Sequence, residues 1–207
     1  MSRFVYLHGF ASGPGSKKAG FFRSRFAELG IGLEVPDLAE GDFRGLTITG
    51  QLRVIERLSR GEPVTLIGSS MGGYLAALYA ARHAEVQRIV LMAPAFCFLK
   101  RWTATLGPAA LEKWRASGTF EVFHYGEGRP VPLGYQLIED AGQYEDYPDA
   151  SQPVLIFHGK NDSAVPVEYS EEFAKKHAQA KLQVLNSDHE LLNVLDDMWM
   201  ETSAFLF

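Results

Sequence analysis

A chain of 207 residues with 46% hydrophobic and 22% charged side chains can build a core of its own, which excludes a disordered segment and a disulfide-stapled miniature. Its formal net charge of −5 offers no general basic surface to nucleic acid or to acidic lipid. The single cysteine, Cys97, leaves no intramolecular disulfide and suits a reducing, cytoplasmic setting.

The chain opens on Phe4-Val5-Tyr6-Leu7, too short for a signal peptide or a membrane span and without alternation. That pattern predicts a parallel strand buried on both faces, ending at His8-Gly9-Phe10. The loop from Ala11 to Gly15 leads to Ser16, placed to cap a helix from Lys17, with Phe22, Phe26 and Leu29 on its apolar side and Gly30 as its stop. The loop is rich in glycine but matches no phosphate-binding motif. A second strand, Gly32 to Val35, is followed by a charged loop and by a helix capped by Thr47 or Thr49 that carries Leu52, Ile55 and Leu58. Val64 to Ile67 is the third strand and Arg88 to Met92 the fourth. Strands alternating with helical patterns in this way specify right-handed βαβ crossovers and an α/β fold.

Between residues 95 and 151 the alternation lapses. Leu106 to Arg115 is predicted helical, Thr119 to Tyr125 alternates like a half-exposed strand, and Gly126-Glu127-Gly128 makes a turn. A segment of this length between core strands is expected to be functional, and here it is read as a cap or lid on a single domain spanning 1–207. The sheet resumes at Val154 to Gly159. A helix near Val167 to His177, an edge strand at Leu182 to Leu185 and a last helix bearing Leu191, Leu192, Leu195 and Trp199 complete the chain.

Chemistry concentrates where the third strand ends. Gly68-Ser69-Ser70-Met71-Gly72 joins a strand to a helix, the setting in which a serine is held on a sharp turn with its hydroxyl above the sheet edge. Such a hydroxyl needs an imidazole base and a carboxylate to orient it. Asp162 follows the fifth strand and His189 the sixth, in the chain order that accompanies this elbow. With strands ordered 2-1-3-4-5-6, the reversal of strand order lies between the strand ending at His8 and the one ending at Ser70, where open parallel sheets bind ligands. Met71 and Phe10 are the expected backbone donors of an oxyanion hole, with Ala11 as the alternative to Phe10. His8 and His158 are read as structural, His83, His124 and His177 as exposed or satisfied, Asp188 as a weaker rival to Asp162, and Asp37 as a turn former. The histidines lack the spacing of a metal site, and no metal or cofactor is expected.

Tyr6 to Phe10, Ser12 to Lys17, Gly68 to Tyr74, Gly159 to Asp162 and Asp188-His189 resemble, in order and over nearly the whole chain, the motifs of the α/β-hydrolase superfamily. The first loop is most similar to that of the small YqiA-like bacterial esterases, from which the longer 95–151 segment departs. The resemblance implies a mostly parallel sheet of about six strands covered by helices on both faces. It implies an esterase with Ser70, His189 and Asp162 as catalytic residues, forming an acyl-serine on a small-molecule ester. The aromatics of the insertion, with Phe96, Phe98 and Trp102 nearest the cleft, favour an apolar acyl group of short to medium length. An acyl-CoA thioesterase, a peptidase, a carbon–carbon bond hydrolase and a catalytically inactive binding protein are the alternatives.

Overall fold

The computed structural model of the protein describes residues 3–207; Met1 and Ser2 lie outside the described residues. Six strands form one sheet: β1 (Arg3–Leu7), β2 (Leu33–Glu34), β3 (Val64–Ser69), β4 (Val86–Met92), β7 (Val154–Gly159) and β8 (Ala180–Leu185). The spatial order is β2-β1-β3-β4-β7-β8 and every adjacent pair is parallel. Counted along the sheet alone this is 2-1-3-4-5-6, because β5 (Thr119–His124) and β6 (Arg129–Gly134) form a hairpin outside it. Central strands β3 and β7 are buried at every position, as expected where both faces are covered.

Helices α1 (Lys17–Glu28) and α7 (Leu195–Leu206) cover one face, where Phe22, Phe26 and Met198 are fully buried with Tyr6 and Phe157. The other face carries α2 (Ile48–Ser59), α3 (Met71–Ala80) and α6 (Glu168–Lys176). All of α3 is buried, because this apolar helix lies between the sheet and a further layer. Ser16 caps α1 by accepting from the Ala19 N–H, and Gly30 takes the positive φ that ends it. Thr47, not Thr49, caps α2. The Thr49 backbone N–H and hydroxyl instead donate to the Asp140 carboxylate, which ties α2 to the insertion.

The insertion is more ordered than its sequence suggests. Helix α4 runs Phe98–Ser117 with a kink at Gly107 (φ 73°), ahead of Pro108, so the helix starts well before Leu106. Strands β5 (Thr119–His124) and β6 (Arg129–Gly134) pair as an antiparallel hairpin, and α5 (Gln136–Ala141) follows. The second strand was not anticipated because Pro130 and Pro132 argue against pairing. Both fall at alternate positions opposite Phe123 and Glu121. Gly134, in the same alternation, sends its N–H away from the hairpin to the Arg44 carbonyl, so the prolines occupy positions where the ladder needs no donor. Among the described residues no helix is long and apolar enough to cross a membrane.

Candidate active site

Ser70 holds a strained backbone at the junction of a strand and a helix. It adopts φ 53°, ψ −114° between β3 and α3, a region that costs a non-glycine residue about 1–3 kcal/mol and persists only when its surroundings enforce it. The Ser70 N–H donates to the Met92 carbonyl at 2.8 Å, and the Ser70 carbonyl accepts from Tyr74 and Ala95. A Cβ on Gly68 would overlap the Gly72 carbonyl, and one on Gly72 the carbonyls of Leu7 and His8. The two glycines thus let α3, β3 and the end of β1 touch backbone to backbone.

The loop after β1 lies against the serine. A Cβ on Gly9 would stand 3.5 Å from that of Ser70. His8 shapes this loop: its Nε2 accepts from the Leu38 N–H, so its Nδ1–H donates to the Gly9 carbonyl at 3.0 Å. Burial depresses the proton affinity of this ring, in keeping with a neutral tautomer. Fixing the Gly9 carbonyl also fixes the peptide plane that carries the Phe10 N–H. Met71 opens α3, so its N–H belongs to the first turn, whose donors have no partner within the helix.

His189 reaches the serine from the loop after β8. Its Nε2 lies 3.0 Å from Ser70 Oγ and its Nδ1 2.6 Å from Asp162 Oδ2. The hydrogen-bond network assigns the proton to Nδ1, which donates to the carboxylate and leaves Nε2 to accept from the hydroxyl. Asp162 Oδ1 accepts from the N–H groups of Ala164 (2.9 Å) and Val165 (2.7 Å). Its side chain is fully buried. Burial alone would raise its pKa, but hydrogen bonds from His158, His189 and Val165 and the charge available on His189 hold it well below the usual carboxylate range. The folded surroundings therefore favour the ionised carboxylate.

The rival residues serve structure. Asp188 accepts from the Glu190 N–H and Asp37 from Ala39 and Gly41, each closing its own turn. His83 stacks on Tyr79, His177 on Phe173, and His124 meets Phe43 edge-on. Ser69 is buried in β3, and the buried Cys97 thiol has its pKa raised by desolvation. Among the described residues no group of three or more His, Cys, Asp or Glu is arranged to hold a metal ion.

The insertion touches the loop after β1 and the loop that carries Asp162. The Phe10 ring touches Trp102 edge-on at 5.1 Å and Phe98 at 6.4 Å. Beyond Trp102 on the same helix, Arg101 donates to the Ala164 carbonyl, next to Asp162, and lies over Tyr169. The Tyr125 N–H, at the hairpin turn, donates to the Ala11 carbonyl at 2.7 Å. Phe96 needs correction. It is wholly buried, stacked on Phe173 at 4.5 Å with an interplanar angle of 9°, and lines no accessible surface. Residue 96 precedes α4, where the chain packs inward against Phe173 of α6.

The sequence pattern of the Uncharacterised protein family (UPF0227) matches residues 3–206, insertion included. The chain belongs to this family. A search of curated proteins found no match. Among solved structures, this UPF0227 chain is similar to a provisionally assigned hydrolase of Agrobacterium vitis S4 (26% identity, TM-score 0.84, covering 100% of this chain and 88% of the other). It is also similar to Est1E of Butyrivibrio proteoclasticus (20%, TM-score 0.78, 99% and 86%) and to the monoacylglycerol lipase of Paleococcus ferrophilus (16%, TM-score 0.76, 98% and 93%). The shared architecture makes the UPF0227 chain a member of the α/β-hydrolase superfamily.

Proposed function

We propose that this UPF0227 protein is a serine esterase that hydrolyses short- to medium-chain acyl esters through an acyl-serine. The observation that carries the reading is one imidazole in hydrogen-bond contact with both Ser70 Oγ and a buried, ionised Asp162. His189 Nε2 takes the Ser70 proton as the oxygen attacks the ester carbonyl, and Asp162 stabilises the imidazolium that results. The N–H groups of Phe10 and Met71 receive the oxyanion, with the peptide plane of Phe10 already set by His8. Collapse of the tetrahedral intermediate expels the alcohol, protonated by His189, and leaves the acyl group on Ser70. A water activated by the same histidine then releases the acid.

Phe10 and Trp102, both part-buried, form with the largely buried Phe98 an aromatic cluster on the loop after β1 that suits an apolar acyl chain. The cationic side chains of α4 closest to the cleft are engaged: Lys100 pairs with Asp146, and Arg101 binds the Ala164 carbonyl. That leaves the anionic carrier of an acyl-CoA poorly served and favours the ester over the thioester.

The test is a panel of p-nitrophenyl esters and acyl thioesters of graded chain length, with fluorophosphonate labelling of the serine. The expected result is turnover of esters with acyl chains of intermediate length and labelling at Ser70. Ser70→Ala should abolish labelling and lower turnover on the order of 10⁴-fold or more. An unlabelled parent protein with no turnover on any ester would refute the reading.

A further inference from the structure

The carboxylate that orients His189 faces a second histidine. His158, the fifth residue of β7, is completely buried, and its Nε2 lies 2.8 Å from the Val165 carbonyl and 3.2 Å from Asp162 Oδ2. Both neighbours are acceptors, so Nε2 carries a proton, directed at the carbonyl and shared with the carboxylate. The opposite ring nitrogen, Nδ1, lies 2.7 Å from Ser170 Oγ, itself completely buried on α6. A neutral ring then accepts a hydrogen bond at Nδ1 from the Ser170 hydroxyl, and every polar atom of His158 is used. The result is a chain of five side chains, Ser170–His158–Asp162–His189–Ser70, with a Ser–His pair on each side of one carboxylate.

We infer that His158 is a positioning residue for the proposed chemistry at Ser70: it locks the Asp162 turn and draws carboxylate charge away from His189, with Ser170 satisfying its remaining ring nitrogen. The inference rests on the esterase reading for its catalytic meaning, but its structural content does not. Three contacts close the turn on itself. His158 binds the Val165 carbonyl, the Val165 N–H binds Asp162 Oδ1, and the Asp162 N–H binds the Gly159 carbonyl at 3.1 Å. Asp162 thereby has Oδ2 held from both sides and Oδ1 saturated by backbone, which leaves its carboxylate one orientation. A donor on the carboxylate also disfavours its taking the Nδ1 proton when His189 becomes imidazolium. The other charged groups that act on Asp162, Lys18 of α1 and Arg101 of α4, do so through space.

Two measurements decide it. The first follows the imidazole nitrogens by ¹⁵N-correlated NMR in the parent, His158→Leu, His158→Gln and Ser170→Ala. His158 should be found with its proton on Nε2, and Ser170→Ala should shift the Nδ1 resonance, which loses its donor, while leaving the proton on Nε2. In His158→Leu the carboxylate is left more basic, so the pH at which His189 takes up its second proton should rise. Gln, whose amide can supply a donor where Nε2 stood, should restore much of the parent value. Failure of His189 to move, or a His158 proton on Nδ1, overturns the inference whether or not the enzyme reading stands. The second measurement is the rate of fluorophosphonate labelling at Ser70. His158→Leu should slow it roughly 10-fold or more, as loss of an outer partner of a site residue does, and the same change should have no effect in an Asp162→Asn background. Equal labelling of parent and His158→Leu would also overturn the inference, while an unlabelled parent would count against the esterase reading alone. Ser170→Ala, a small change, keeps the test open should His158→Leu fold poorly.

Discussion

A single lysine next to the candidate site carries a measurable consequence. Lys18 lies in the first turn of α1, where burial pulls its amine down to about 8, against the opposing attraction of Glu190, Asp162 and Asp188. In the unfolded chain the same amine titrates at about 10.4. Below pH 8 the folded and unfolded states both carry the charge, so the full penalty of burying it is present. Between pH 8 and that unfolded value the folded state is neutral while the unfolded state still binds the proton, so stability rises with pH over this window. Lys18→Met, which removes the penalty, should gain stability relative to the parent at pH 7 and lose that gain as pH approaches 10.5. Denaturant midpoints of both proteins at several pH values measure the difference, in which the other titrating groups largely cancel. At this scale the sequence was most informative about Ser70, Asp162 and His189, because each follows a strand and the strands fix which edge they share. It was least informative about His158. A histidine at the end of a core strand gives no sign of its partner until the turn at Gly159 brings residue 162 back to it, and Ser170 lies on the helix that follows. The separation of 158 from 162 across a tight turn was the one available signal.

Elements meet in this fold through glycines whose missing side chains are occupied by neighbouring backbone. Gly159, the last residue of β7, is the case most tied to the site. A Cβ there would overlap the carbonyls of Ser187 and Asp188, one residue before His189. The same loop is held by the Asn161 N–H donating to the Ser187 carbonyl at 3.0 Å and by the Ser187 hydroxyl donating to Asn193. Gly159→Ala has no strained φ to blame, so its effect is steric: the 187–189 loop must retreat. The expected cost is about 1–3 kcal/mol of stability, together with a loss of kcat of roughly 10²-fold if His189 retreats by about 1 Å from Ser70. KM should change little, because Phe10, Phe98 and Trp102 are untouched. Steady-state kinetics beside thermal unfolding separate the two effects, and an unchanged kcat would show that the loop absorbs the methyl elsewhere. Elements of the sheet were legible from their apolar runs and bounding glycines. Those of the insertion were not, for physical reasons: β6 hides its pairing behind Pro130 and Pro132, and α4 follows an N-cap, Cys97, that is left-handed and makes no side-chain capping bond.

At the scale of the whole molecule, the question is whether residues 95–151 behave as a separable lid. Packing argues against it. Phe98, Trp114, Val131, Leu133, Leu137 and Ile138 are buried in one continuous core with Leu66, Leu75 and Ile156 of the sheet face and α3. The Trp114 indole N–H is satisfied by the Leu133 carbonyl inside the insertion, and Trp102 hands contact from Trp114 to Phe10. An insertion that shares its core with the sheet cannot unfold without exposing the sheet, so a single cooperative transition is expected. The tryptophans allow a direct check. Trp102 and Trp114 lie in the insertion, whereas Trp199 packs on Phe22 and Phe26 on the opposite face of the sheet. Trp199→Phe leaves only the insertion reporting by fluorescence, and Trp102→Phe with Trp114→Phe leaves only the far layer. Each variant has its own stability, so fluorescence is compared with far-ultraviolet circular dichroism of the same variant. In both, the two denaturant midpoints should coincide. If the insertion-reporting variant instead loses its fluorescence signal at lower denaturant than its secondary structure, residues 95–151 are a cooperative unit of their own. The aromatic cluster on the loop after β1 would then open without global unfolding, and access to the serine would be governed by that local equilibrium.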